Sequence, residues 1–181
     1  MRDAGRHVEP MHELEQLDVD TLIADIAARL KQRIQDHNLS QPALVGIRTG
    51  GVWLAQRLQK KLKLPGPIGE LNIAFYRDDF SRIGMHPTVE PSALPFNVND
   101  RHLLLVDDIL YTGRTIRAAM NEIFDYGRPR SISLVVLIDR GGRELPIDAN
   151  VYGARVTLPP GQHVKLLGPD PPRLEIGATK S

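Results

Sequence analysis

The 181-residue chain contains no cysteine, which excludes disulfides and thiolate metal sites and fits a reducing compartment. It has no excess of one charge: 23 Lys and Arg against 22 Asp and Glu leave a formal net charge of +1. No global basic field therefore advertises nucleic acid or an anionic membrane. No apolar run approaches the roughly 18 residues of a membrane helix, and no apolar segment of signal-peptide type follows residues 1–6. There is no internal repeat or low-complexity tract. A soluble, cytoplasmic protein is the expectation. Hydrophobic content of 41% and charged content of 25% are ordinary for a globular chain. One domain of this length can bury about 70% of its unfolded surface.

Along the chain, residues 1–17 read as a flexible leader and 18–181 as a single domain. A first helix is predicted from Asp18 or Asp20 as N-cap, with Leu22, Ile23, Ile26, Ala27, Leu30 and Ile34 at helical spacing. Residues 42–47 form a short apolar strand, followed by Arg48-Thr49-Gly50-Gly51. A second helix turns Val52, Leu54, Ala55, Leu58 and Leu62 inward and stops at Pro65-Gly66. Residues 68–76 are the next strand candidate, and about 77–100 form a long polar loop of the kind that is functional or disordered. A strand at 102–107, a helix from about Thr115 to a stop at Gly127, and an apolar strand at 132–138 follow. Trp53 and Phe124 fall on apolar helix faces and are expected in the core. Three segments at 151–158, 163–167 and 173–176 suggest a small β hood over about 139–181. The alternation predicts an α/β fold with a mainly parallel sheet flanked by helices. In such a sheet the loops after residues 47, 106 and 138 project from one edge, where ligands bind.

The most informative stretch is Leu103-Leu104-Leu105-Val106-Asp107-Asp108-Ile109-Leu110-Tyr111-Thr112-Gly113-Arg114-Thr115. A buried strand ends in two adjacent carboxylates, and a Thr/Gly loop opens a helix. Free backbone N–H groups and the positive end of the helix dipole converge there, which suits a phosphate. Carboxylates directly before that loop suit hydroxyls or a metal beside the phosphate, so a sugar phosphate satisfies both halves. Each half alone has a plain structural explanation, as a solvated acidic strand end or a Thr-Gly turn. The six histidines are scattered without metal-ligand spacing.

Three segments, Gly46-Ile47-Arg48-Thr49-Gly50-Gly51, residues 106–115 and Asp139-Arg140-Gly141-Gly142-Arg143-Glu144-Leu145-Pro146, resemble the PyrR family of pyrimidine operon attenuation proteins and uracil phosphoribosyltransferases. The resemblance covers about residues 18–156. It implies the type I phosphoribosyltransferase fold, transfer from phosphoribosyl pyrophosphate (PRPP) to uracil giving UMP and pyrophosphate, Mg²⁺, and a homo-oligomer. On it, Arg48, Thr49, Gly50 and Gly51 carry the pyrophosphate, often with a non-proline cis peptide. Asp107 and Asp108 hold the ribose 2′- and 3′-hydroxyls and, with Mg²⁺ borne by PRPP, are the candidates to touch the metal. Tyr111, Thr112, Gly113, Arg114 and Thr115 wrap the 5′-phosphate, Arg114 being either a charge partner or a solvated first-turn residue. Tyr76, Arg77, Asp78 and Asp79 open a mobile flap. Asp139 and Arg140 face the base, with backbone groups doing much of the recognition. Asp107, Asp108 and Arg48 are the residues assigned to catalysis. No group stands out as the base for uracil N1.

Members that regulate transcription bind leader RNA under control of UMP or UTP. This chain departs from their pattern, with Ala24-Asp25-Ile26-Ala27-Ala28 where those members carry Thr-Arg-Ile-Ala-His, Ala154 where a Lys is usual, and Gly142 where a His is usual. Residues 1–40 hold five basic and eight acidic residues, so weakened or absent RNA attenuation is expected. Arg128, Arg130, Arg140, Arg143, Arg155, Lys165 and Arg173 still offer cations. The enzymatic alternative is a purine or orotate phosphoribosyltransferase. The other is a nucleotide-sensing RNA regulator with vestigial catalysis.

Overall fold

The computed structural model describes residues 6–8, 16–73 and 90–178. Its elements run β1 (Arg6–Val8), α1 (Val19–Asp36), β2 (Ala43–Ile47), α2 (Gly50–Leu62), β3 (Gly69–Leu71), β4 (His102–Leu110), α3 (Arg114–Tyr126), β5 (Ser131–Asp139), β6 (Val151–Val156), β7 (Gln162–Leu167) and β8 (Arg173–Ala178). The first six strands make one sheet in the order β1-β6-β5-β4-β2-β3. Every pairing in it is parallel. The central strands β2, β4 and β5 carry continuous apolar runs because helices cover both faces. Side-chain alternation along β4 divides the core. Leu104 and Val106 pack with Leu22, Ile26 and Leu30 of α1 and Leu54 and Leu58 of α2. Leu103 and Leu105 pack with Ile116, Ala119 and Ile123 of α3.

α1 begins where the Asp18 carboxylate accepts the Thr21 N–H at 3.0 Å, so the Asp18 alternative for the cap is the one realised. α2 follows β2 on one face and α3 follows β4 on the other, while β2 and β4 are neighbours. The crevice beyond their C-terminal ends is thus a topological switch point, where open α/β sheets bind ligands.

Several expected boundaries shift. Arg6–Val8, inside the stretch read as a flexible leader, pairs with β6 in parallel; three residues are too few to carry a period-2 signal. Residues 151–156 join the main sheet beside β5, leaving β7 and β8 as the antiparallel hairpin of the tail. β4 runs on through both aspartates to Leu110. Of the segment expected as a flap, residues 90–100 are anchored. Glu70 and Ala93 exchange backbone hydrogen bonds at 2.8 Å, and Leu94 and Val98 are buried in the α3-side core. Their alternation with Pro and Asn disguises them as polar loop. Tyr76, Arg77, Asp78 and Asp79 lie outside the described residues. Trp53 is half-buried beneath Gly168. Phe124 is 44% exposed and stacks under the Arg128 guanidinium instead of entering the core.

Candidate active site

The two helices that start at the switch point share a property that α1 lacks. Thr49 at the N-terminus of α2 and Gly113 at that of α3 make no side-chain capping hydrogen bond. Apart from the Arg114 N–H, which Thr112 Oγ1 accepts, their first-turn N–H groups stay open to a ligand, and the two dipoles add positive potential at the same edge. Gly113 adopts φ +93°, a left-handed conformation that glycine takes without strain. The Arg48–Thr49 peptide is cis.

The Gly-Gly entry of α2 is demanded by packing. A Cβ on Gly50 would sit 2.7 Å from the Asp108 carboxyl carbon, and one on Gly51 would collide with the Val106 carbonyl. The pyrophosphate loop expected at 48–51 therefore lies directly against the acidic pair. Asp107 and Asp108 leave opposite faces of β4. Asp107 is buried at 2% exposure, and its carboxylate accepts the Asp108 N–H at 2.9 Å. Asp108 is half-buried and accepts the Ile109 N–H at 3.0 Å. One carboxylate is thus built in and the other faces the crevice.

Arg48 is engaged by the protein itself. Its guanidinium bonds the Glu70 carboxylate at 2.9 and 2.8 Å and also pairs with Glu90. The Glu90 bond, followed by Glu70 and opposed by burial, holds it more firmly protonated than an ordinary arginine. The loop at 111–115 is braced from the other side. The Thr112 carbonyl accepts from the Glu144 and Leu145 N–H groups at 3.0 and 3.2 Å. Thr112 Oγ1 accepts the Arg114 N–H at 3.2 Å, and Arg114 Nε donates to Glu144 at 2.5 Å. Arg114 is a charge partner of Glu144, with both side chains about half exposed.

Asp139, expected to face the base, instead turns its carboxylate into the protein. It is 1% exposed. One oxygen accepts from Arg143 at 2.6 Å and from the Gly141 N–H at 3.0 Å; the other accepts from Arg155 at 2.8 and 3.0 Å. Burial pushes its pKa up, but the bonds from Arg143, Gly141 and Arg155 together outweigh it and hold the carboxyl below its ordinary value. A strand-end aspartate reads as a ligand group in sequence, and only the two arginines four and sixteen residues on claim it. Arg140 does reach the site edge: its guanidinium lies 3.8 Å from the Tyr111 ring centroid, and it donates to the Gln162 carbonyl at 3.0 Å.

The phosphoribosyl transferase domain family matches residues 14–160. Among curated proteins, the bifunctional protein PyrR of Nitrosococcus oceani is 57% identical over 162 residues, spanning 88% of this chain and 92% of that one. The bifunctional protein PyrR of Pseudomonas fluorescens is 55% identical over 155 residues, covering 86% and 92% respectively. The chain belongs to the PyrR family. Its fold is also that of the hypoxanthine phosphoribosyltransferase of Trypanosoma cruzi, with a TM-score of 0.58, 21% identity and coverage of 77% and 78%.

This PyrR homologue is accordingly a phosphoribosyltransferase of type I. The structure sets the 48–51 loop against the acidic pair, and the 111–115 loop follows directly from the strand that carries that pair. Sequence inspection missed Arg143 and Gln162. Arg143 stands in the family motif, but its bonding to four backbone and side-chain oxygens has no sequence signature. Gln162 begins β7, far along the chain from the motifs. Among the described residues no group of three His, Cys, Asp or Glu is arranged to hold a metal, and no helix is long and apolar enough to cross a membrane.

Proposed function

We propose that the protein transfers the phosphoribosyl group of PRPP to uracil, releasing pyrophosphate and forming UMP. The juxtaposition of Gly50 with Asp108 carries the reading, because it sets the pyrophosphate loop beside a carboxylate aimed at the crevice. Asp108 accepts from the ribose diol beside the enclosed Asp107, and the charge of the pair favours the cation that develops at C1′ as pyrophosphate departs. Thr49, Gly50 and Gly51 present N–H groups to the pyrophosphate, and Thr112, Gly113 and Thr115 present theirs to the 5′-phosphate, the Arg114 N–H being held by Thr112 Oγ1. Arg48 joins the leaving group by exchanging Glu90 for pyrophosphate oxygens.

Mg²⁺ fits this donor set in one way. The ion binds through one or two carboxylates plus substrate phosphates and keeps several waters. Asp108, with Asp107 behind it, would supply a carboxylate of that kind, and PRPP oxygens would complete the set. An ion held there would supply charge neutralisation for the departing pyrophosphate.

For the base, Arg140 Nε and Gln162 Oε1 are buried without a partner among the described residues. A buried donor and a buried acceptor at the end of β5 call for a complementary group, and a uracil edge or an ordered water supplies it. The deciding assay incubates the protein with PRPP, Mg²⁺ and uracil, orotate, hypoxanthine or guanine in turn. UMP from uracil is the expected product; turnover of another base without uracil overturns the reading. The relatives' designation as bifunctional supports a second role, nucleotide-gated binding of pyrimidine-operon leader RNA by a cytoplasmic homo-oligomer.

A further inference from the structure

The phosphate loop has its carbonyls tied down on one side. Arg143 Nη1 donates to the Tyr111 carbonyl at 2.8 Å. The next carbonyl, that of Thr112, accepts two N–H groups from Glu144 and Leu145. Neither the Tyr111–Thr112 nor the Thr112–Gly113 peptide is cis, and in a trans peptide the N–H points opposite to the C=O. Fixing these two carbonyls toward residues 143–145 therefore turns the Thr112 and Gly113 N–H groups the other way, out of the brace. From this geometry we infer that Arg143 is a positioning residue for the 5′-phosphate, acting through the peptide planes it holds and touching no substrate itself. The inference rests on the reading of residues 111–115 as the phosphate loop.

The guanidinium is suited to the task because all its donor directions are used at once. Nε donates to the Ile147 carbonyl at 2.9 Å, Nη1 also reaches the Gly141 carbonyl at 3.2 Å, and Nη2 donates to Asp139 at 2.6 Å. Asp139, buried and paired, sets the orientation of the fork. Arg155 serves as an internal comparison: it bonds the same Asp139 but makes no bond to the loop. A planar fork with fixed donors can span these acceptors, whereas a lysine ammonium cannot. The side chain borders a cavity of about 380 Å³ with Asp139, Ile147 and Arg155. Water can therefore enter when the guanidinium is trimmed, so substitution need not unfold the domain.

The test is calorimetric titration of wild type, Arg143→Gln, Arg143→Lys and Arg155→Gln with ribose 5-phosphate and, separately, with pyrophosphate. Ribose 5-phosphate is expected to bind Arg143→Gln about tenfold more weakly, the loss of roughly one charge-assisted hydrogen bond's worth of organisation. Pyrophosphate affinity is expected to stay within about twofold, and Arg155→Gln to match wild type for both ligands. In turnover, the KM for PRPP rises more than kcat falls. Should Arg143→Gln fail to fold, Arg143→Lys carries the same comparison with the charge retained. Unchanged ribose 5-phosphate binding in the Arg143 variants overturns the inference. So does equal weakening of both ligands, or an equal loss in Arg155→Gln, since either reports general loosening. Wild-type protein that binds pyrophosphate but not ribose 5-phosphate overturns the phosphate-loop reading itself.

Discussion

Two adjacent aspartates look equivalent on paper, yet their surroundings give them different duties. Asp107 is enclosed and Asp108 faces the crevice, so substitution separates their effects. Asp107→Ala leaves the Asp108 N–H without its acceptor in a buried strand and is expected to cost about 1–3 kcal/mol. Asp108→Ala removes a half-exposed group and is expected to lower the melting temperature far less. Both are expected to reduce kcat/KM about a hundredfold or more, as loss of a preorganised electrostatic partner does. Melting curves beside steady-state kinetics check the separation. Asp139 supplies a pH-dependent test at the same scale. Its carboxyl is held below the ordinary value by Arg143, Gly141 and Arg155 against burial, so its contribution is present above the unfolded carboxylate pKa of about 4 and is lost as pH falls through the lower folded value. Asp139→Ala leaves Arg143 and Arg155 with only the exposed Asp148 as anionic partner and is expected to cost about 3 kcal/mol at pH 7, since the pair is broken one-sidedly. In urea titrations the gap between wild type and variant is expected to stay constant from pH 7 to about 5 and to shrink below about 4. A gap that widens on acidification would contradict the assignment.

At the level of elements, the close seating of α2 on the sheet is what places the 48–51 loop. A Cβ on Gly46 would lie 2.7 Å from the Val52 Cα and 2.9 Å from the Gly51 carbonyl, backbone atoms that cannot yield without moving the helix. Gly46→Ala is therefore expected to destabilise by about 1–3 kcal/mol, the usual cost of overpacking. It is also expected to weaken pyrophosphate binding, because the helix start shifts with it. A stability loss with unaltered pyrophosphate affinity would show that the loop is placed by something else. The same element explains what was legible beforehand. α1 was readable to within two residues of its cap, because six apolar positions agree with an Asp N-cap at 18 or 20. β2, β4 and β5 were readable because strands buried on both faces are continuous apolar runs. The start of α2 at Gly50 was not, since glycine has low helix propensity and only the close approach to Asp108 and Val106 requires it. Nor was β6, whose Gly153 lies where a Cβ would meet the Leu137 carbonyl; a central strand with glycine and arginine looks like part of a peripheral hairpin. The site divides the same way. The ends of β2 and β5 fall within one residue of where the sequence puts them, while β4 runs three residues past the expected end, and Arg143, Gln162 and the inward turn of Asp139 depend on neighbours many residues away.

Over the whole molecule the near balance of charge bears on the second role of the family. RNA affinity comes largely from phosphates neutralised by Lys and Arg, each with its share of the salt dependence. Of the cations that the sequence offers on the later segments, several are spent internally. Arg155 and Arg143 serve Asp139, Arg140 stacks on Tyr111, and Arg128 lies on Phe124 with a bond to its carbonyl. α1 adds Asp20 and Asp25 to its exposed or half-exposed surface. With few uncommitted cations, leader RNA is expected to bind this protein weakly and with a shallow salt slope. Filter binding to pyrimidine-operon leader RNA across a salt series, with and without UMP, measures both quantities. Replacing Asp25 with Arg is expected to tighten binding and steepen the slope by about one unit, as one added phosphate contact does. Tight wild-type binding with a steep slope would mean that the internally paired arginines exchange their carboxylate partners for phosphates when RNA arrives. Asp139 would then be the place to look, since releasing Arg155 alone leaves its buried carboxylate half satisfied and should register as lowered stability of the RNA-bound protein at neutral pH.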